Sequence, residues 1–172
     1  MTHKLAFVFP GQGSQSVGML DNFISVNSDI VAAACAEASD ILGYDMARLI
    51  ALDPNQQLDK TEFTQPALLT AGVIAWRIWH DENEERPSIL AGHSLGEYTA
   101  LVCAEAITFA EGLRLVAKRG ALMQQAVAPG VGAMAAILGL GFEQVCQICD
   151  TDVQAANINA PGQIVIAGTA EA

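Results

Sequence analysis

The sequence predicts an α/β protein, with a parallel sheet over residues 1–128 and a smaller α/β unit over residues 129–172. The chain is 52% hydrophobic but only 6% aromatic, and much of its apolar content is Ala, Val, Ile and Leu, which suits a layered core. In the first part, short apolar segments are separated by long helical patterns, and crossovers of this kind join parallel strands. At "APGVGAM" the pattern changes to short strands around one helix.

The first part opens with a predicted buried strand over Lys4–Phe9, followed by the glycine-rich turn "PGQGS". Pro66 stands where a helix can begin, so a helix is predicted from there to about Glu82. The other predicted elements of this part are four helices and a second buried strand: Ser28–Leu42 with Gly43 as its stop, Met46–Leu52, Leu95–Ala104, Ala110–Val127, and the strand Ser88–Ala91.

The second part has the element order β-α-β-β, which resembles the beginning of a ferredoxin-like split unit. Such a unit needs one more helix and one more strand. Thr169 is a suitable N-cap for that helix, but the chain stops at Ala172, so we expect the sequence to be a fragment of a longer protein. The predicted elements are Gly130–Leu138, Phe142–Cys149, Val153–Asn159 and Gln163–Ala167.

The charge of the chain excludes several classes of partner. Its formal net charge is −11, with eight Lys and Arg against 19 Asp and Glu. Nucleic acids and anionic membrane surfaces bind basic faces, so neither is an expected partner. The apolar stretches are too short to span a bilayer, and the apolar run near the N-terminus is too short for a signal peptide. We therefore expect a cytoplasmic protein.

Cys146 and Cys149 form a C-x-x-C pair, a spacing that occurs in redox and metal sites. On a helix, Phe142 and Val145 fall on the same apolar face as these two cysteines. The sequence has no second C-x-x-C to complete a tetrahedral metal site. We interpret both cysteines as small buried core residues and expect no metal.

The segment "GHSLG" at Gly92–Gly96 matches G-x-S-x-G and lies between a predicted strand and a predicted helix. A serine on such a sharp turn projects its hydroxyl into open space, and glycine flanks it because larger side chains would collide. The helix then points its N-terminus at the same space, where the Leu95 backbone N–H can stabilise an oxyanion. Ser94 is therefore a candidate nucleophile; a plain glycine-rich turn with a capping serine is the alternative.

A serine nucleophile needs a base, and the three histidines of the chain are poor candidates. His93 adjoins Ser94 on the turn, so its side chain should point away from the hydroxyl and pack under the turn or bond to backbone. His80 lies at the end of a helix among charged residues, and His3 is at a frayed terminus. We expect the base to lie beyond Ala172 and this fragment alone to be poorly active or inactive.

Three segments together resemble the malonyl-CoA:acyl carrier protein transacylase family: "FVFPGQGSQSVGML" at Phe7–Leu20, "GHSLGEYTALVCAEAITFAEGLRLV" at Gly92–Val116, and "KRGALMQQA" at Lys118–Ala126. The similarity follows the family's order along essentially the whole chain. It implies an α/β-hydrolase-like large domain, here residues 1–128, and a ferredoxin-like small domain, of which residues 129–172 are an incomplete part.

The resemblance also implies a function in fatty acid or polyketide biosynthesis. Ser94 would attack the thioester of malonyl-CoA and pass the malonyl group, as a serine ester, to the phosphopantetheine thiol of acyl carrier protein. The Gln12 backbone N–H would be the second oxyanion donor beside that of Leu95. Arg119 would grip the malonyl carboxylate, and no bound cofactor is implied.

Arg119 alone would more often be a solvated surface charge, and only its place in "KRGALMQQA" favours a binding role. Two other functions stay open. The chain could be a serine esterase or thioesterase that uses water, or a non-catalytic fragment that binds a partner.

Overall fold

The structure, a computed structural model, describes residues 5–128 and 130–172. The predicted strand start at Lys4 and the predicted boundary residue Pro129 therefore lie outside the described residues. The chain divides into two compact units between Gln124 and Gln125, four residues before the division that the sequence predicts. That division falls within the last turn of a long helix.

The first unit contains two strands and six helices within the described residues. Its strands pair in parallel, with Phe9 opposite Gly92, so the predicted parallel pairing is confirmed. The elements are β1 (Ala6–Phe9), α1 (Asp21–Val26), α2 (Ser28–Leu42), α3 (Met46–Leu52), α4 (Thr61–Glu82), β2 (Ile89–Gly92), α5 (Leu95–Cys103) and α6 (Phe109–Ala126).

The two parallel strands bury only one of their faces. Phe9 is buried, whereas Val8 is 75% exposed and Ile89 is 57% exposed. Successive side chains of a strand point to opposite faces, and a parallel sheet normally has both faces covered. The prediction that both strands are buried is therefore wrong for the face that carries Val8 and Ile89.

The helix α4 begins five residues before the predicted start at Pro66, which lies inside it. The Lys60 carbonyl accepts bonds from the backbone N–H groups of Phe63 and Thr64, and these bonds form the first turn. The Thr64 hydroxyl, which is buried, also donates to the Leu58 carbonyl at 2.5 Å. These contacts stabilise the turns before the proline, so the proline removes one bond without ending the helix.

Two glycines let α6 approach its neighbours closely. A Cβ placed on Gly112 would lie 2.7 Å from Cγ2 of Val102, and one on Gly120 would lie 2.7 Å from the Thr61 carbonyl oxygen. A side chain at either position would force the helices apart. This packing brings Arg119, the residue before Gly120, close to the start of α4.

The second unit is an antiparallel sheet with one helix, in the strand order β3-β5-β4. Thr169 is the last residue of the last strand, and its hydroxyl oxygen accepts a bond from the Ala172 N–H at 3.4 Å, the contact that an N-cap makes to the third residue after it. The helix that it would cap stays a prediction. The elements follow the predicted order: β3 (Gly132–Leu138), α7 (Phe142–Ile148), β4 (Val153–Ala160) and β5 (Gln163–Thr169).

The interpretation of the C-x-x-C pair as buried core is wrong. Cys146 is exposed, Cys149 is half-buried and Phe142 is 50% exposed, whereas Val145 is fully buried. The helix α7 (Phe142–Ile148) buries Val145 alone, and Cys149 follows it with an extended backbone, so Cys149 does not continue the predicted helical face. Within the described ranges, no group of three or more His, Cys, Asp and Glu side chains could hold a metal ion.

None of the helices in the described part of the chain combines the length and the apolar character that crossing a bilayer requires.

Candidate active site

Ser94 lies on a tight turn between β2 and α5, with φ 51° and ψ −104°. A positive φ is uncommon for a residue with a side chain and is found at strained functional positions. A Cβ on Gly92 would overlap the carbonyl group of Gly96, and a Cβ on Gly96 would overlap the carbonyl group of Phe9. The steric reason that the sequence suggests for both glycines is therefore confirmed.

The Ser94 hydroxyl is exposed and makes no capping bond to α5. Its oxygen instead accepts a hydrogen bond from Nη2 of Arg119 at 2.9 Å. The alternative of a capping serine on a plain turn therefore does not fit this geometry. The serine hydroxyl is held beside a guanidinium, at the N-terminus of a helix.

Arg119 is fixed on two further sides. Its Nη1 donates to Oε1 of Gln65 at 2.7 Å, and its guanidinium carbon lies 5.7 Å from the centroid of the Tyr98 ring. Hydrogen bonds from a charged donor and a cation over an aromatic face both stabilise one orientation of the side chain. Arg119 is therefore a half-buried, oriented group that contacts the candidate nucleophile.

Gln65 is a site residue that the sequence reasoning missed. Its side chain is fully buried, and its Nε2 donates to Sδ of Met123 at 3.2 Å while its Oε1 accepts from Arg119. The prediction that the helix starts at Pro66 placed Gln65 outside the helix. A helix begun at Thr61 would have put Gln65 one turn before Leu69, on the buried face, and that spacing is the signal that was available.

The loop that carries Gln12 lies against the turn that carries Ser94. A Cβ on Gly96 would lie 2.9 Å from the Pro10 carbonyl oxygen, and one on Gly11 would lie 2.9 Å from that of His93. Leu95 is the first residue of α5, where a helix leaves its N–H groups without intrahelical partners. The oxyanion roles of the Gln12 and Leu95 amides stay predictions.

The histidines take positions that differ in part from those expected. His93 is exposed beside Gly11, which does not fit packing beneath the turn; the other alternative, a bond from its side chain to backbone, stays a prediction. His80 is exposed. It lies on α4 fifteen positions after Gln65, which places it about 22 Å from Gln65 along the helix axis. His3 lies outside the described residues. That the base lies beyond Ala172 stays a prediction.

The family model and the curated relatives that match the chain indicate the same family. The family model described as the acyl transferase domain matches residues 6–172. The malonyl CoA-acyl carrier protein transacylases of Salmonella typhimurium and Escherichia coli are each 51% identical to the chain over 98% of its length. The chain spans about half the length of these curated relatives, since the matched segment is 56% of each.

Solved structures agree with the sequence comparison. The chain is similar to the malonyl CoA-acyl carrier protein transacylase of Coxiella burnetii, with a TM-score of 0.92 and 48% identity over 98% of this chain and 55% of that one. It is also similar to a malonyl-transacylase solved in complex with a type II PKS acyl carrier protein, with a TM-score of 0.91 and 48% identity over 98% of this chain and 56% of that one. The resemblance that the three sequence motifs predict is confirmed.

Proposed function

The chain belongs to the acyl transferase domain family, and from this premise we propose that it transfers a malonyl group from malonyl-CoA to acyl carrier protein. The acceptor is the thiol of the carrier's phosphopantetheine, and the pathway is fatty acid or polyketide biosynthesis. The names of the curated relatives support this substrate, and the neighbour solved with a carrier protein supports this partner.

The observation that carries the proposal is the 2.9 Å hydrogen bond between Arg119 and the Ser94 hydroxyl. In a malonyl thioester, one methylene separates the carboxylate from the carbonyl carbon that a nucleophile attacks. A cation that recognises this carboxylate must therefore lie next to the nucleophile. Arg119 meets this requirement, and its guanidinium retains N–H groups that can bind a carboxylate in a bidentate manner.

The reaction proceeds in two steps through Ser94. Its oxygen attacks the thioester carbonyl carbon, the C–S bond breaks, and CoA leaves as its thiol with the proton of the hydroxyl. The thiol of the carrier protein then attacks the malonyl ester, and Ser94 regains a proton as the C–O bond breaks. Backbone N–H groups of Gln12 and Leu95 stabilise the oxyanion in both steps.

Substrate choice follows from the charge of Arg119. An acetyl thioester has no carboxylate, so its binding would leave the half-buried guanidinium without the partner that malonyl provides. The cost of that unpaired charge favours malonyl over acetyl. Because the guanidinium touches the nucleophile, this preference acts on the acylation step itself.

The proposal extends to architecture and location. Residues 1–128 are part of an α/β-hydrolase-like core, and residues 129–172 are the start of a ferredoxin-like subdomain. The antiparallel order β3-β5-β4 after a β-α-β-β sequence supports the second assignment. No cofactor is bound during the reaction, which takes place in the cytoplasm, and the catalytic base comes from chain beyond Ala172.

The test is the fate of the malonyl group. The full-length protein, which includes the chain beyond Ala172 that supplies the proposed base, is used here and in every experiment below, because the fragment alone is expected to be poorly active or inactive. It is incubated with malonyl-CoA labelled in the malonyl group, with or without a phosphopantetheine-bearing carrier protein, and Ser94→Ala serves as the control. A protein-bound ester that discharges to the carrier thiol is expected. Release of free malonate at the same rate without the carrier would instead identify a thioesterase, a function that the exposure of Ser94 to water also permits. Absence of any Ser94-dependent ester would leave a non-catalytic binding role.

A further inference from the structure

The loop that carries Gln12 has little stiffness of its own. Gln12 is exposed and stands between Gly11 and Gly13, and Gly13 has φ +105°. Glycine has no side chain to restrict its backbone, so a loop of this kind samples many conformations unless other groups hold it. A backbone N–H that must point at a developing oxyanion needs such support.

Gln15 supplies support within the loop and beyond it. Its Oε1 accepts a hydrogen bond from the Gly13 N–H at 2.8 Å, and its Nε2 donates to Oδ1 of Asp59 at 2.8 Å. A third bond, from the Ser14 hydroxyl to the Gly11 carbonyl at 2.9 Å, closes the turn. The Gln15 amide therefore connects the backbone next to Gln12 with a carboxylate that lies 44 residues away in sequence.

Asp59 is part of a well-anchored segment. The preceding residue, Leu58, is buried, and its carbonyl accepts the bond from the buried Thr64 hydroxyl. The Leu58 N–H donates to the carboxylate of Asp53 at 3.2 Å. A carboxylate attached to such a segment is a fixed reference point, because its backbone is held by both the core and the start of α4.

The same segment is also linked to the other side of the site. The Gln12 side chain donates to the Thr61 hydroxyl at 3.2 Å, and Gly120, next to Arg119, packs against the Thr61 backbone. The first turns of α4 thus contact both the loop with the oxyanion donor and the helix with the guanidinium. A displacement of the loop relative to this segment would also displace it relative to Arg119.

We propose that Gln15 and Asp59 form a positioning pair that holds the Gln12 backbone N–H in the geometry needed for oxyanion binding. The pair contacts neither the acyl group nor Ser94, and it acts through the Gly13 backbone. This inference rests on the proposed function, because the oxyanion arises only if Ser94 is acylated.

The pair is tested first by adding a negative charge at position 15. Gln15→Glu keeps the shape and the acceptor for the Gly13 N–H, but it removes the donor and places two carboxylates at hydrogen-bond distance. The rate of Ser94 acylation by saturating malonyl-CoA should fall by about 10- to 100-fold, the size expected when an oxyanion donor is misplaced. The malonyl-CoA concentration that gives half the maximal rate should not change, because Arg119 is unaffected.

The rescue is the decisive part of the experiment. Asp59→Asn alone should have little effect, because the new amide can still present its oxygen to Gln15. In the double variant, which combines Gln15→Glu with Asp59→Asn, the new amide donates to the new carboxylate, so the contact re-forms with its direction of donation reversed. The rate of Ser94 acylation should then return to within about threefold of the rate of the unsubstituted protein, because substitutions at two side chains in contact are coupled and do not add. Gln154→Glu, the same change at an exposed position of β4, is the matched control.

Hydrogen exchange provides a readout that does not depend on chemistry. The Gly13 amide should exchange slowly in the unsubstituted protein, fast in Gln15→Glu and slowly again in the double variant. Exchange of Gly13 at the rate of an unstructured peptide in the unsubstituted protein would overturn the proposal even if Gln15→Glu fails to fold. A double variant no faster in acylation than Gln15→Glu would also overturn it.

Different results would refute the proposed function and the positioning role of Gln15 and Asp59. If the unsubstituted protein forms no malonyl ester, the proposed function fails, and the positioning role fails with it whatever the exchange shows. If the ester forms normally in Gln15→Glu although Gly13 exchanges fast, only the positioning proposal is overturned.

Discussion

Replacing Gln65 with leucine should weaken malonyl recognition without altering the nucleophile. Leucine has a similar size, so the buried space stays filled, but Nη1 of Arg119 loses the acceptor that lies 2.7 Å away. A hydrogen bond to a charged group contributes about 1.5–3 kcal/mol. Since about 1.4 kcal/mol corresponds to a tenfold change in rate, malonyl acylation of Ser94 should fall by about 10- to 150-fold.

The assay follows the mass of the intact protein during incubation with malonyl-CoA and, separately, with acetyl-CoA. Acetylation should change little, because a methyl group does not use the guanidinium. Thr70→Val is the control, since Thr70 is also buried on α4 but its hydroxyl donates within the helix, to the Pro66 carbonyl at 2.8 Å. An equal loss with both thioesters, or an unchanged malonyl rate, would refute the idea that Gln65 acts by orienting Arg119.

Four further outcomes are expected. Arg119→Ala should lower malonyl loading steeply while acetyl loading holds or rises, and equal loss of both would contradict a carboxylate-binding role. Gly92→Ala should lower the thermal midpoint, because its Cβ would overlap the Gly96 carbonyl group, and overpacking costs about 1–3 kcal/mol; an unchanged midpoint would contradict the tight turn. Burial raises the pKa of the Cys103 thiol from 9.0 to about 12, an effect that Arg77 partly opposes. Thiol reagents at pH 8 should therefore label the exposed Cys146 and spare Cys103. The stability that this pKa shift contributes is complete below about pH 9 and is lost as the pH rises towards 12, so thermal midpoints should fall across that window.

Features set by local chemistry could be predicted from the sequence. The bounds of α2 were predictable because Gly43 has φ 77° and ends the helix, while Asn27 accepts a bond at its start. At the turn around Ser94 the two flanking glycines differ. The backbone that excludes a Cβ at Gly96 is that of Phe9, 87 residues earlier in β1, whereas a Cβ on Gly92 would overlap the Gly96 carbonyl group only four residues later. Contacts within a few residues leave a mark in a short stretch of sequence.

Features set by distant contacts could not be predicted in this way. The bond between Gln65 and Arg119 joins residues 54 positions apart, and nothing near Gln65 indicates its partner. Pro66 misled the prediction of the helix start for a different reason. The Thr64 hydroxyl bonds to the Leu58 and Lys60 carbonyls, six and four residues away, and helix propensity does not include such side-chain bonds. Asp59 reads as an ordinary loop carboxylate until Gln15 is placed beside it.

Burial was predicted least well, because it depends on what covers a surface and not on the residue itself. Val8 and Ile89 have the apolar character of a buried parallel sheet, yet one face of that sheet is exposed. Cys146 likewise has the spacing of a core position on a helix but lies at the surface.

The central claim is that the hydroxyl oxygen of Ser94, on a strained turn beside the oriented Arg119, carries the acyl group. Peptide mapping by tandem mass spectrometry after brief exposure to malonyl-CoA tests it most directly. The account predicts a malonyl mass increment on the peptide that contains Ser94, localised to that residue and absent from Ser94→Ala. A stable increment on Cys146 or any other side chain, with the Ser94 peptide unmodified, would contradict it.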